Sequence, residues 1–187
     1  VLTTSNAVVV TIELLDEIFG EIKLLEALAV NKDTSYISFP ATLLRDVAPN
    51  GGNQIEALLG EKAQKAASFI PDYIPPSVTT WAVNMSINIL TLTISEPLNV
   101  TTIALNQLTL MSDSELLPST QVYALTSSSV IKTQTLSSLI ITIGDLDMNR
   151  IKTKPPLCQS TSRCYLTHTS AFATDTSTYT DAIPRDE

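Results

Sequence analysis

One stretch of this chain occurs twice, and that repetition constrains the fold more than any other feature. The first copy runs VVTIELLD (9–16), Ile22-Lys23 and TSYIS (34–38), closing near Asp46. The second runs IITIGDLD (140–147), Ile151-Lys152 and RCYLT (163–167), closing near Asp175. Three matched pairs, Ile22/Ile151, Tyr36/Tyr165 and Asp46/Asp175, are each 129 residues apart (151 − 22, 165 − 36, 175 − 46). Upstream, Thr11/Thr142 gives 131, which places two extra residues of the first copy around Glu17 to Gly20. A long β-like region precedes the second copy and none precedes the first. The expectation is half a domain followed by a whole one.

The local patterns support that division. Residues 8–14 are apolar and β-branched, as in a buried strand. Residues 16–28 switch to helical spacing, with Ile18, Ile22, Leu25 and Leu28 on one face and Asp16 and Glu17 at the start, so a short helix is expected. Residues 36–39 predict another strand, ended by Pro40. APNGGN (48–53) has turn chemistry. Residues 54–67 admit two readings, because Ala-rich helical spacing is interrupted by Gly60. FIPDYIPPS (69–77) holds three prolines and is assigned as the linker between residues 1–68 and 78–187.

From residue 78 the pattern is all-β. Strands are expected at 81–83 and 89–94, one or two within 100–110, then 121–125 and 139–143. A turn is expected at 95–99 and a loop tip at Ser127 to Ser129. Short strands with turns between them predict a Greek-key β-sandwich.

Composition narrows the setting. Charged residues are 16% of the 187, net charge is −8, and the apolar share of 44% is ample for a core. Acidity excludes the basic face that nucleic acid or an anionic membrane would require. Hydroxyl residues fill the surface instead, which suits a secreted protein bearing glycans. No apolar run approaches the roughly 18 residues of a membrane helix. The sequence begins at Val1 without Met, as expected of a secreted chain whose leader is removed or of a fragment.

The order of motifs resembles a known family. FIPDYIPPSV (69–78), VNM (83–85) and LTLTISEPLNVT (90–101) resemble the opening of the tandem immunoglobulin-like (cadherin-like) repeats of mastigoneme, or flagellar-hair, glycoproteins of algae and other protists. Those repeats continue with a hydrophobic strand, an acidic helical turn and a TYL-type strand. Residues 139–176 are similar, through Asp145, Asp147, Asn149, Ile151-Lys152 and Tyr165-Leu-Thr, and residues 8–53 are similar again, including Asp46 and Asn53. The resemblance implies immunoglobulin-like Greek-key sandwiches, each with a short helical turn, the first incomplete and completed by a partner chain or by missing upstream strands. It also implies that residues 54–58 are extended. Two departures stand out: Ile94 replaces the family's Phe, and the closing Gly-Asn is missing after Asp175.

Candidate chemistry is mostly covalent modification. Asn84-Met-Ser86 and Asn99-Val-Thr101 are N-glycosylation sequons. Ser/Thr runs including Ser128 and Thr178 are candidate O-glycan positions, and Pro75, Pro76 and Ser77 suit hydroxyproline-type glycosylation, as the resemblance to algal wall-type proteins implies. For any single one of these, an ordinary β-surface hydroxyl or turn is the alternative. Cys158 and Cys164 have five residues between them, so a disulfide closing a small loop is expected, with two free buried thiols as the alternative. The spacing is not that of a zinc site.

Catalysis is not expected. His168 is the single histidine, no Ser-centred elbow or Gly-rich phosphate loop accompanies it, and no cofactor is implied. The acidic pairs Asp16/Glu17 and Asp145/Asp147 are expected to cap the helical turns. A Ca²⁺ site drawing on Asp145, Asp147 or Asp175 is the remaining possibility, although the DxDxDxG spacing is missing. The expected function is a structural subunit of an extracellular glycosylated filament, joined head-to-tail to identical subunits by strand complementation. A cell-surface adhesion or carbohydrate-binding sandwich is the alternative; one Trp and scattered Tyr residues do not mark a sugar-stacking face.

Overall fold

The computed structural model describes residues 9–25 and 27–176. The chain divides into two compact units, Val1–Asp72 and Tyr73–Glu187, and the boundary falls inside the Pro-rich stretch.

The first unit holds α1 (Asp16–Lys23), a 3-10 turn at Lys32–Thr34, and a ribbon of β1 (Tyr36–Ile37) with β2 (Gln64–Lys65). The ribbon is antiparallel, Tyr36 opposite Lys65 and Ile37 opposite Gln64. Single bridges Phe39↔Leu58 and Arg45↔Gln54 continue it toward the turn at 48–53. Residues 54–58 are therefore extended, not helical, because Gln54 and Leu58 both pair across. Gly60, at φ +55, explains the break in the Ala-rich pattern.

Three expectations for this unit are corrected. Residues 9–15 form no strand: they join neither β-ladder nor sheet among the described residues. The helix stops at Lys23 rather than Leu28. The two extra residues of the first copy do not lie at 17–20: α1 and α2 (Asp145–Lys152) are both eight residues long and start 129 apart. The surplus falls between Ile12 and Asp16, ahead of the helix.

The second unit contains β3 (Val78–Asn84), β4 (Ile89–Ile94), β5 (Leu108–Met111), β6 (Val122–Ala124), β7 (Val130–Gln134), β8 (Ser138–Thr142), α2 and β9 (Tyr165–His168). They form two antiparallel sheets, in order β3-β4-β8-β7 and β6-β5-β9. Alternation sets the faces: Leu90, Leu92 and Ile94 point inward from β4, Leu108 and Leu110 from β5, and Leu139 and Ile141 from β8. With Met148, Ile151, Leu157 and Phe172 they make one core, as expected of a two-layer β fold. Trp81 packs partly buried against it.

Here too the sequence reading needs adjustment. The stretch 100–107 holds two 3-10 turns, Val100–Thr102 and Leu105–Gln107, before β5 starts. β7 was not foreseen; its residues are nearly all exposed at a sheet edge, so it lacks the alternation that marks a half-buried strand.

Candidate functional site

Both sequons lie on turns of the second unit. Asn84 ends β3 and is exposed; its side-chain Oδ1 accepts from the N–H of Ser86 at 3.0 Å, forming an Asx turn within the sequon. Asn99 caps the following 3-10 turn. Its Oδ1 accepts from the N–H of Thr101 at 3.1 Å and from the Thr101 hydroxyl at 2.7 Å. Both Asn side chains are thus held by the residues that define their sequons. Pro76 is buried and Ser77 half-buried, its N–H donating to Ser95 Oγ at 2.9 Å. Ser128 is half-buried in the loop before β7. Thr178 lies outside the described residues.

Cys158 and Cys164 form a disulfide. Cys158 occupies the left-handed region, φ 51, and its N–H donates to Arg163 O at 2.7 Å. The first unit repeats this loop without a bridge. Ala29, 129 residues earlier, has φ 53 and donates to Thr34 O at 3.2 Å. Asn31 and Thr34 fix that loop through a capping box.

The acidic residues are used differently from expectation. Neither helix has a side-chain cap: Leu15 and Gly144 occupy the N-cap positions. Asp145 is exposed and receives Asn88 Nδ2 at 3.3 Å. Asp147 is fully buried and points away from its own helix end. Its Oδ1 accepts from the Tyr123 hydroxyl at 2.9 Å and the Thr126 hydroxyl at 2.6 Å; its Oδ2 accepts from the Thr126 N–H at 2.9 Å and the Ser129 hydroxyl at 2.6 Å. Burial alone pushes this carboxyl up, but the hydrogen bonds from Ser129, Thr126 and Tyr123 outweigh it and hold it below the ordinary carboxylate range. Four donors saturate both oxygens, so Asp147 pins the β6–β7 loop to α2 and has no lone pair left for an ion.

Asp175 is buried beside Leu98, with which it forms a bridge, and its Oδ1 has no hydrogen-bond partner among the described residues. Its counterpart Asp46 is exposed and well engaged. It accepts from Asn53 Nδ2 at 3.0 Å and from the N–H groups of Asn53 and Ala48 at 2.6 and 3.1 Å. Asp145, Asp147 and Asp175 are not gathered into one site; among the described residues, no group of three or more His, Cys, Asp and Glu side chains is placed to hold a metal ion. His168 is buried, with its ring 5.8 Å from Phe172 and Nδ1 3.3 Å from Thr169 O, which is the setting of a core histidine.

The strongest contrast between the units is in burial. Met148, Leu157 and Phe172 are 1%, 2% and 0% exposed, whereas their counterparts 129 residues earlier, Phe19, Leu28 and Leu43, are 44%, 44% and 38% exposed. Among the described residues of the first unit only Gly20 is buried. The same local elements thus present an apolar face in both units, and only the second covers it. At about 40% exposure each of these side chains forgoes roughly 1 kcal/mol of burial.

Part of that covering is β5, which pairs with β9 as Leu110↔Leu166 and Met111↔Tyr165. In the first unit the matching strand, β1, has β2 on one side only among the described residues. Ser35 and Phe39 turn their backbone groups to that side: Ala66 N–H donates to Ser35 O at 2.9 Å, and Phe39 N–H to Leu58 O at 2.9 Å. By alternation, Tyr36 and Ser38 present theirs to the other edge. The sequence leads to the expectation of an incomplete first unit and does not single out this edge.

No helix of the described residues is long and apolar enough to cross a membrane. No protein-family model, curated protein or solved structure matches this chain.

Proposed function

We propose that this chain is a structural subunit of an extracellular, glycosylated filament, built from immunoglobulin-like sandwiches and joined head-to-tail to identical subunits. The observation that carries the reading is the apolar face that the described residues of the first unit leave uncovered, whereas the second unit buries the same positions. A β-layer with an exposed face and an open edge is a template for another chain. Heterologous joining of that kind does not close, so it propagates as a fibre.

The strand order supports the immunoglobulin-like part. Naming β3, β4, β5, β6, β7, β8 and β9 as A, B, C, C′, D, E and F, the sheets run A-B-E-D and C′-C-F. The matched helix, 3-10 turn and strand at a spacing of 129 support a repeated second half. The turn-borne sequons at Asn84 and Asn99 and the disulfide fit an oxidising, secretory setting.

Negative-stain imaging of the chain, expressed through a eukaryotic secretory host, tests the proposal. Open-ended fibres whose length grows with concentration are expected. A chain that stays strictly monomeric by light scattering at tens of micromolar overturns it.

A further inference from the structure

We infer that the open edge of β1 is a strand-docking site, and that its occupant is an extended segment of a partner polypeptide carrying large apolar side chains at alternate positions. The inference rests on reading the first unit as the second half of a sandwich, and it names what completes that half at this edge.

The second unit supplies the template. There β9 receives β5, whose inward residues Leu108 and Leu110 are fully buried opposite His168 and Leu166. Subtracting 129 converts those partners to Phe39 and Ile37. Ile37 is 48% exposed, and Tyr36 and Ser38 face the same open edge with their backbone groups. Beside the ribbon lies a concavity of about 380 Å³, lined by Leu28, Ala29, Tyr36, Ile37, Ala66 and Ala67. Leu28 corresponds to Leu157, which the second unit buries. The lining is mostly apolar, and the ion pair between Lys65 and Asp33 is already satisfied within the ribbon. An incoming strand therefore meets main-chain donors and acceptors at its edge and an apolar surface under every second side chain, the usual conditions for strand addition. A helical partner would leave the main-chain groups of the edge unpaired, and a charged one would leave the apolar surface uncovered. The β5 strand of a folded second copy is not the occupant, because it is held between β6 and β9.

The register follows from the template: an apolar residue in the place of Leu110 stands opposite Ile37, and one in the place of Leu108 stands opposite Phe39. A one-residue slip would turn the apolar side chains to the other face.

The test uses the full chain with Ile37→Cys and a synthetic peptide of residues 105–112 carrying Leu110→Cys, in a glutathione redox buffer. A mixed disulfide at least ten-fold more abundant than with Thr109→Cys or Met111→Cys peptides is expected. In the unsubstituted chain, the parent peptide should slow amide hydrogen exchange at Tyr36 and Ser38 and leave Phe39 unchanged. Equal cross-linking at all three positions, no adduct and no exchange protection, or preferential Ile37→Cys homodimers would each overturn the inference. Fibres without peptide docking would sink this inference and leave the filament proposal standing. Peptide docking on a strictly monomeric chain would do the reverse.

Discussion

The Tyr123 hydroxyl donates to Asp147 Oδ1 at 2.9 Å, so a strand-borne phenol and a helix-borne carboxylate meet inside the second unit. Together with Thr126 and Ser129 they tie the β6–β7 loop to α2. A buried carboxylate survives in such a place only when its oxygens are fully paired. Asp147→Ala strands three hydroxyls and an N–H, and about 3 kcal/mol or more of stability should be lost. Tyr123→Phe removes one of the four bonds and should cost about 1 kcal/mol. Urea unfolding followed by Trp81, the single tryptophan, reads both.

The same group gives the unit a defined pH response. Burial opposes ionisation of Asp147, but its hydrogen bonds win and its folded pKa lies below the ordinary value. Its stabilisation is therefore present above the ordinary value of about 3.9 and lost as pH falls through the lower folded value. Tyr123 moves the other way, raised first by burial and then by its bond to Asp147. Its contribution is complete below about pH 10 and lost as pH rises through the higher folded value. Unfolding midpoints measured from pH 2 to 11 should fall at both ends, and Asp147→Asn should flatten the acid limb.

Gly144 is required by a close approach. A Cβ at this position would lie 2.1 Å from the carbonyl oxygen of Ser128, with no room for the loop to retreat while Asp147 holds it. Gly144→Ala should destabilise the second unit by about 2 kcal/mol or more. Gly51→Ala is the contrast within the first unit: its Cβ would meet nothing within 4 Å, and only its φ of +98 strains the substitution. Comparative amide exchange of the two variants checks the difference.

The disulfide is reinforcement. Ala29 and Cys158 share the same left-handed conformation, and the first unit forms its loop without a bridge. Cys158→Ala with Cys164→Ser should cost about 2 kcal/mol, the loop-closure entropy of a short loop, with the strand pairing of β9 retained. Thermal unfolding, with circular dichroism of the native state, separates the two effects.

The sequons predict mass. Secreted from a eukaryotic host, the chain should lose one glycan with Asn84→Gln and one with Asn99→Gln, as read by intact mass. Thr101→Ala should also abolish the modification of Asn99, since its hydroxyl is the group bonded to Asn99 Oδ1. Unchanged masses in all three variants would remove the glycoprotein part of the proposal.

Much of this was legible in the residues. The inward alternation of Leu90, Leu92 and Ile94 gave β4, and the five-residue spacing of Cys158 and Cys164 gave the bridge. Asp145 and Asp147 announced a helical turn at the correct place. What they do there was not legible: the partners of Asp147 come from residues 123–129, and a side chain two positions into a helix carries no mark of reaching them. β7 was missed because an exposed edge strand has no buried face to imprint a period of two. Residues 9–15 show the reverse error, for they have a strand's composition but join no sheet of the described residues.

The repeated stretch separates the two kinds of information. Its sequence by itself marked a short helix with an acidic start and a strand-like stretch after it, twice, at a spacing of 129, because helical periodicity and turn chemistry act between residues a few positions apart. Only the tertiary structure decided that Leu157 is buried and Leu28 exposed. Burial and strand pairing depend on segments distant in the chain: β3 to β7 are present to cover the second copy, and no described segment stands in their place for the first.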